Sequence, residues 1–153
     1  MARKTTSRSR NELHARDIPE REVVKVVLTV LALNRNIRVW RRNTGALSSK
    51  DGKRFVRFGV PGMADVFGII RTMRCPVCGR LTGTGVHLEI ECKRYGGRLS
   101  PAQKDFLATI HKYGGKTLVA IPKPTVADPT GFRAIYEDLA RLDKETCVEC
   151  SER

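Results

Sequence analysis

Apolar positions recur at helical spacing in the first third of the chain. In REVVKVVLTVLALN, residues 21 to 34, Val23, Val24, Val27, Leu28, Leu31 and Ala32 fall on one stripe, which predicts a largely buried helix. Asp17, Pro19 and Glu20 precede it in the pattern of an N-cap, a first-turn proline and a box partner, so the helix is expected to open at Asp17. The period then changes to two. IRVWRRN, ending at Asn43, reads as a strand, TGALSSKDGK as a loop, and RFVRFG (54–59) as a second strand. ADVFGII (64–70) is a mostly apolar strand with Asp65 at its start. Residues 71 to 85 hold CPVCG and TGTG and read as an insertion, after which HLEIECK resumes strand alternation. SPAQKDFLATIHKYGG opens a helix at Ser100 with Pro101 in its first turn, and Gly114-Gly115 ends it. TLVAI is a short buried strand, and PTGFRAIYEDLARL a last helix. The order predicts one mixed α/β domain without internal repeats.

Composition narrows the class. The 153 residues are 41% hydrophobic and 29% charged, which is globular rather than disordered. No run of apolar residues is long enough to span a bilayer. The start, MARKTTSRSRNELHAR, is basic and has no apolar core of a signal peptide, so a cytoplasmic location is expected, the host's cytoplasm for a viral protein. Twenty-nine Lys and Arg against 16 Asp and Glu leave +13, which favours a polyanionic partner. An anionic membrane surface would call for an amphipathic helix with a basic face, and none is legible. Nucleic acid is therefore the expected partner, with residues 1 to 16 a flexible basic tail suited either to solubility or to phosphate contact.

The chemistry lies in HLEIECK. Alternation puts Leu88, Ile90 and Cys92 on one face and His87, Glu89, Glu91 and Lys93 on the other. A solvated face laced with ion pairs would give the same pattern. Asp65 adds a second carboxylate, one strand earlier in chain order. Neighbouring strands lie about 5 Å apart, so Asp65 and Glu91 can share one hard divalent cation, with the Cys92 carbonyl as a further oxygen ligand. Lys93, on the same face, can orient an attacking water or neutralise charge developing on phosphate. Together these residues suit metal-assisted phosphodiester hydrolysis. His14, His87 and His111 form no readable cluster.

PGMAD followed by EIECK resembles the split motif of the PD-(D/E)xK nucleases. With VWRRNTGA, RFGVPGMADVFGI and LEIECKRYGGRLSPAQKDFLATIHKYGGKTLVA around it, the chain resembles the virus-type replication-repair nuclease (VRR-NUC) family over about residues 20 to 121. The resemblance implies a restriction-endonuclease-like core, a mixed central sheet flanked by helices, at 17–142. It also implies a nuclease dependent on Mg²⁺ or Mn²⁺ that leaves 5′-phosphates. Asp65 and Glu91 match the metal ligands, Lys93 the motif lysine, Gln103 the glutamine of the following helix, and Glu22 the acidic residue of the first helix. Asn43 matches a polar residue beside the site, while Arg41 and Arg42 either touch backbone phosphate or lie on a solvated face. Small members of the family imply a homodimer acting on branched DNA such as Holliday junctions, in recombination or repair in a phage or mobile element. Nicking, flap or restriction-type cleavage, or a non-catalytic zinc-containing nucleic-acid binder, are the alternatives. Glu89 departs from the family pattern, and three roles are open to it: a second metal, a pair with Arg or Lys, or a solvent-facing charge.

Four of the five cysteines form two Cys-x-x-Cys pairs, Cys75/Cys78 in the insertion and Cys147/Cys150 in a tail at 143–153. Each supplies half of a tetrahedral zinc site, so one structural Zn²⁺ is expected to pin the tail to a small zinc-knuckle insertion. A redox dithiol or two unconnected thiol pairs would fit the same spacing. Cys92 is expected to be a small buried hydrophobe.

Overall fold

The computed structural model describes residues 14–43, 45–49 and 55–152. Residues 1–13 of the basic tail expected at 1–16, residues 44 and 50–53 of the expected loop, and residue 54 at the start of the expected second strand lie outside the described residues.

The first helix, α1 (Glu20–Ala32), starts later than its sequence signals suggest. Asp17 ends a short 3₁₀ turn (Ala15–Asp17), and Pro19 takes the N-cap position with extended backbone. Proline lacks the N–H that an N-terminal turn would leave unpaired, so it terminates the turn without loss. At the other end the Asn34 side chain accepts from the Asn36 amide at 2.8 Å. That local bond competes with helix continuation and turns the chain into β1 (Ile37–Arg41).

Two further strands, β2 (Gly45–Ser48) and β3 (Phe55–Phe58), pair antiparallel in a separate two-stranded ribbon. Part of the stretch expected as loop is thus strand. The main sheet is completed by β4 (Val66–Arg74), β5 (Leu81–Cys92) and β6 (Lys116–Ala120), in the order β1-β4-β5-β6. Its first three strands run antiparallel, and β6 joins β5 in parallel through the crossover helix α2 (Pro101–Lys112). The helices α3 (Phe132–Ala140) and the short α4 (Val148–Ser151) follow. This is a mixed four-stranded sheet with helices packed against it.

The segment at 71–85 shares the pairing of the main sheet over part of its length. β4 and β5 continue through it, pairing Thr72 with Thr84 and Met73 with Gly83, so the cysteine turn caps one long hairpin. Gly83 and Thr84 are held in the ladder by their partners Met73 and Thr72, while Gly85 bends the strand with φ +64°.

Val23, Val27 and Leu31 of α1 and Ile135 and Leu139 of α3 cover Ile37, Val66, Ile70, Leu88 and Ile90 on one sheet face. Each such side chain contributes about 1.5–3 kcal/mol by leaving water. The first turn of α2 meets the opposite face, the one that carries Glu91.

Candidate active site

Asp65 stands just before β4, and its backbone carbonyl accepts from the Arg42 amide at 2.8 Å. Its side chain reaches across to β5, where Oδ2 accepts from the Cys92 amide at 2.9 Å. One carboxylate oxygen is thereby fixed beside Glu91. Gly62, in the turn leading to Asp65, has φ +85°, and a Cβ there would overlap the Ala102 carbonyl in the first turn of α2. Only glycine lets this turn and that helix come so close.

Glu91 is 1% exposed, in the middle of the sheet. Its Oε1 accepts from Lys93 Nζ at 2.5 Å and from the side-chain amide of Gln103. Gln103 is held by a capping box: Ser100 Oγ accepts from the Gln103 amide at 3.2 Å, and Gln103 Oε1 accepts from the Ser100 amide at 2.9 Å. The helix start therefore orients an amide donor at Glu91.

Glu91 Oε2 is buried and has no hydrogen-bond partner among the described residues. Burial, opposed by the Lys93 hydrogen bond and reinforced by the charge of Asp65, pushes the Glu91 carboxyl up to about 7. Burial also acts against the Lys93 ammonium, but the bond to Glu91 and the surrounding carboxylates outweigh it, and its pKa lies above the ordinary lysine range. A buried carboxylate oxygen with no donor is the environment a hard cation satisfies. The donor set of Asp65 and Glu91 fits Mg²⁺ or Mn²⁺.

The acidic residue of α1 nearest this group is Glu20, whose Oε1 is 3.6 Å from Lys93 Nζ. Glu22 instead lies 3.9 Å from Lys25 on the helix surface. Two positions along a helix is a rotation of about 200°, so both cannot face Lys93. Sequence spacing alone does not tell that the turn of α1 bearing Glu20 is the one that meets the strand end.

Glu89 takes the second of its open roles. It is 1% exposed and accepts both guanidinium nitrogens of Arg42, at 2.6 and 2.8 Å, with His87 Nε2 2.8 Å from its Oε1. Arg42 is therefore bound within the protein rather than lying on a solvated face, while Arg41 and Asn43 are exposed. Cys92 is buried in the core, and desolvation raises its thiol far above the ordinary range.

At the far end of the same hairpin the thiols of Cys75, Cys78, Cys147 and Cys150 come together, all within 4.8 Å of one another. Cys78 and Cys147, 69 positions apart, are 3.6 Å apart at sulfur. A tetrahedral site with zinc–sulfur bonds of ~2.3 Å needs sulfurs about 3.8 Å apart. The turn is set by the Gly79 amide donating to the Cys75 carbonyl and the Cys75 amide to that of Arg80, both bonds under 3.0 Å long at 2.9 and 2.8 Å. The tail is drawn in by backbone bonds of Arg74 with Asp143 and Glu145, and by the Arg80–Glu149 ion pair at 2.6 Å. The Cys147 amide, pointing at Cys75, pulls that thiol down to about 6. The cluster is compatible with zinc.

Among known proteins, no family model and no curated protein matches the chain. Among solved structures it is similar to a "VRR_NUC domain protein", with 21% identity and a TM-score of 0.42, over 87% of this chain and 98% of that one.

Proposed function

We propose that the chain is a divalent-metal-dependent nuclease that hydrolyses phosphodiester bonds in DNA, with Asp65 and Glu91 as metal ligands and Lys93 and Gln103 as their working partners. The observation that carries this reading is Glu91, buried and half satisfied, with one oxygen held by Lys93 and Gln103 and the other without a donor among the described residues. A surface ion-pair face would leave such a carboxylate in water. When bound, Mg²⁺ or Mn²⁺ would supply Lewis acidity toward the phosphate.

The protein's own groups do the rest. The Cys92 amide fixes Asp65, and the capping box fixes Gln103, so the carboxylates are held before substrate arrives. Lys93, nearly buried, brings a positive charge to this face and is placed to orient a water or to steady charge on phosphate oxygens. The net charge of +13 draws in the polyanion. Glu20, rather than Glu22, is the α1 carboxylate placed to tune Lys93. With Arg42 held by Glu89, the exposed Arg41 and Asn43 are the candidates for DNA contact. At the far end, one structural Zn²⁺ held by the four cysteines would tie the tail to the hairpin. Preference for branched DNA, and action as a homodimer cutting two strands, complete the proposal.

Asp65→Ala and Lys93→Ala are expected to lower Mg²⁺-dependent cutting on the order of 10²–10³-fold, assayed on four-way, flap and linear duplex DNA with Mg²⁺ and with EDTA. Calorimetric titration should show Mn²⁺ binding to the parent and none to Glu91→Gln. Variants that cut every substrate as fast as the parent would overturn the reading. Equal rates on linear and four-way DNA would remove the branched-DNA preference alone.

A further inference from the structure

The sheet face that carries Glu91 continues sideways onto β4 and β1. Cross-strand register places Trp40, Phe67 and Glu89 in one row, and Arg38, Ile69 and His87 in the next. Residues directly opposite in antiparallel strands share a face. Trp40 thus lies one row from Glu91, about 7 Å along the strands, and two strands across, about 10 Å.

Here the surface opens into a cleft of about 290 Å³ lined by Arg35, Asn36, Arg38, Trp40, Ile69 and Arg71. Trp40 is 49% exposed and Ile69 48%, although both are paired strand residues. Among the described residues none of the three arginines is paired with a carboxylate. Among the described residues Arg38 donates only to the Asn34 and Ile37 carbonyls, and the Asp143 carboxylate near the rim is taken by the Asn36 amide.

The indole is also braced from behind. Its ring is stacked on Phe67, with centroids 5.7 Å apart and planes at 30°. Phe67 lies under the Arg42 guanidinium, 4.6 Å from the ring centroid, and Glu89 clamps Arg42 with two hydrogen bonds. A buried ion pair in the sheet therefore ends, through two rings, in a held and half-exposed aromatic surface. That accounts for Glu89, which the proposed catalytic group does not use.

We infer that this cleft is a binding platform for single-stranded DNA, in which an unpaired base stacks on Trp40 while Arg35, Arg38 and Arg71 take the flanking phosphates. A base in a duplex has both faces covered by its neighbours, so a stacking ring selects unpaired nucleotides. Arginine supplies the planar donor fork that phosphate oxygens match. The inference deepens the nuclease reading and rests on it for its biological sense: the strand held here would run toward Glu91, as the unpaired segment of a flap or branch does.

Trp40 is the chain's single tryptophan, so its emission reports this cleft alone. In EDTA, where cutting plays no part, titration of the full chain with a dT oligonucleotide should quench Trp40 to saturation. A blunt duplex should quench it far less at equal occupancy, followed by anisotropy of labelled DNA. Arg38→Ala/Arg71→Ala should weaken dT binding tenfold or more, and Trp40→Phe, which keeps a ring on Phe67, should weaken it less than Trp40→Ala. Binding of dT without quenching, equal quenching by duplex, or quenching by phosphatidylserine vesicles but not by dT would each overturn the inference. Cutting that persists while quenching is absent would leave the nuclease reading intact, and quenching without any cutting would leave this one.

Discussion

The two ends of the β4–β5 hairpin make an instructive pair. One end gathers oxygens, in Asp65 and Glu91, and the other gathers sulfurs, in four cysteines. Both groups lie where the chain has brought like acids together, yet their protons are held in opposite ways. Glu91 is buried among carboxylates, and its pKa rises to about 7. Cys75 is met by the amide of Cys147, and its pKa falls to about 6. The oxygen end thus resists charge until a cation enters, whereas the sulfur end is prepared as thiolate by the backbone itself. The difference suits an exchangeable hard ion at one end and a permanent soft one at the other.

The strongest way to break this comparison is to remove the proposed zinc. A structural zinc present at 100 to 1,000 times its Kd adds ~3–4 kcal/mol to stability, or about 10 °C in Tm for a chain of this size. Stripping with a zinc-selective chelator, or Cys147→Ser, should produce that loss in a thermal melt, while withdrawing Mg²⁺ should leave Tm nearly unchanged. A purified protein with a Zn:protein ratio near zero and an unaltered Tm would remove the sulfur half of the comparison.

A smaller effect sharpens the oxygen end. Ser100→Ala deletes the acceptor for the Gln103 amide and should cost about 1 kcal/mol of stability. Because the same box aims Gln103 at Glu91, cutting should fall while zinc content stays at the parent's level. Retained activity in that variant would detach Gln103 from the site.

The finest test is the pH dependence of the metal-free protein. Glu91 has a folded pKa above its ordinary 4.5, so its stabilising contribution is complete below about 4.5 and is lost as pH rises through about 7. Cys75 has a folded pKa below its ordinary 9.0, so its contribution is complete above about 9 and is lost as pH falls through about 6. Denaturant midpoints should show the first slope vanish in Glu91→Gln and the second in Cys75→Ser. A slope surviving its own substitution would show that another group carries it.

The chain's local order announced much of this. Period-two alternation in HLEIECK alone put Glu89, Glu91 and Lys93 on one face, and the S-P-A-Q signal alone opened α2 at Ser100, because both features depend on neighbours within four residues. The two Cys-x-x-Cys pairs could likewise be read as halves of a site. Local order misled where pairing overrode propensity, as in TGALSSKDGK, expected as a loop, where Gly45–Ser48 pairs with β3 as a strand. It also misled at α1, where Asp17 looked like the cap and Pro19 took its place.

What sequence by itself determined, then, is the alternation, the helix starts and the chemical types available: a carboxylate pair, a lysine, a glutamine, four thiols and a large positive charge. Only the tertiary structure decided which of them meet. Asp65 finds the Cys92 amide because β4 pairs with β5, and Glu89 finds Arg42, 47 positions earlier, because β1 lies beyond β4. Glu20 rather than Glu22 faces Lys93 because packing sets the rotation of α1, and Cys78 meets Cys147 because the tail bonds to the end of β4. The reason is common to all four. Sheet order and helix rotation are set by burying apolar surface across the whole chain, and that energy is non-directional and non-local.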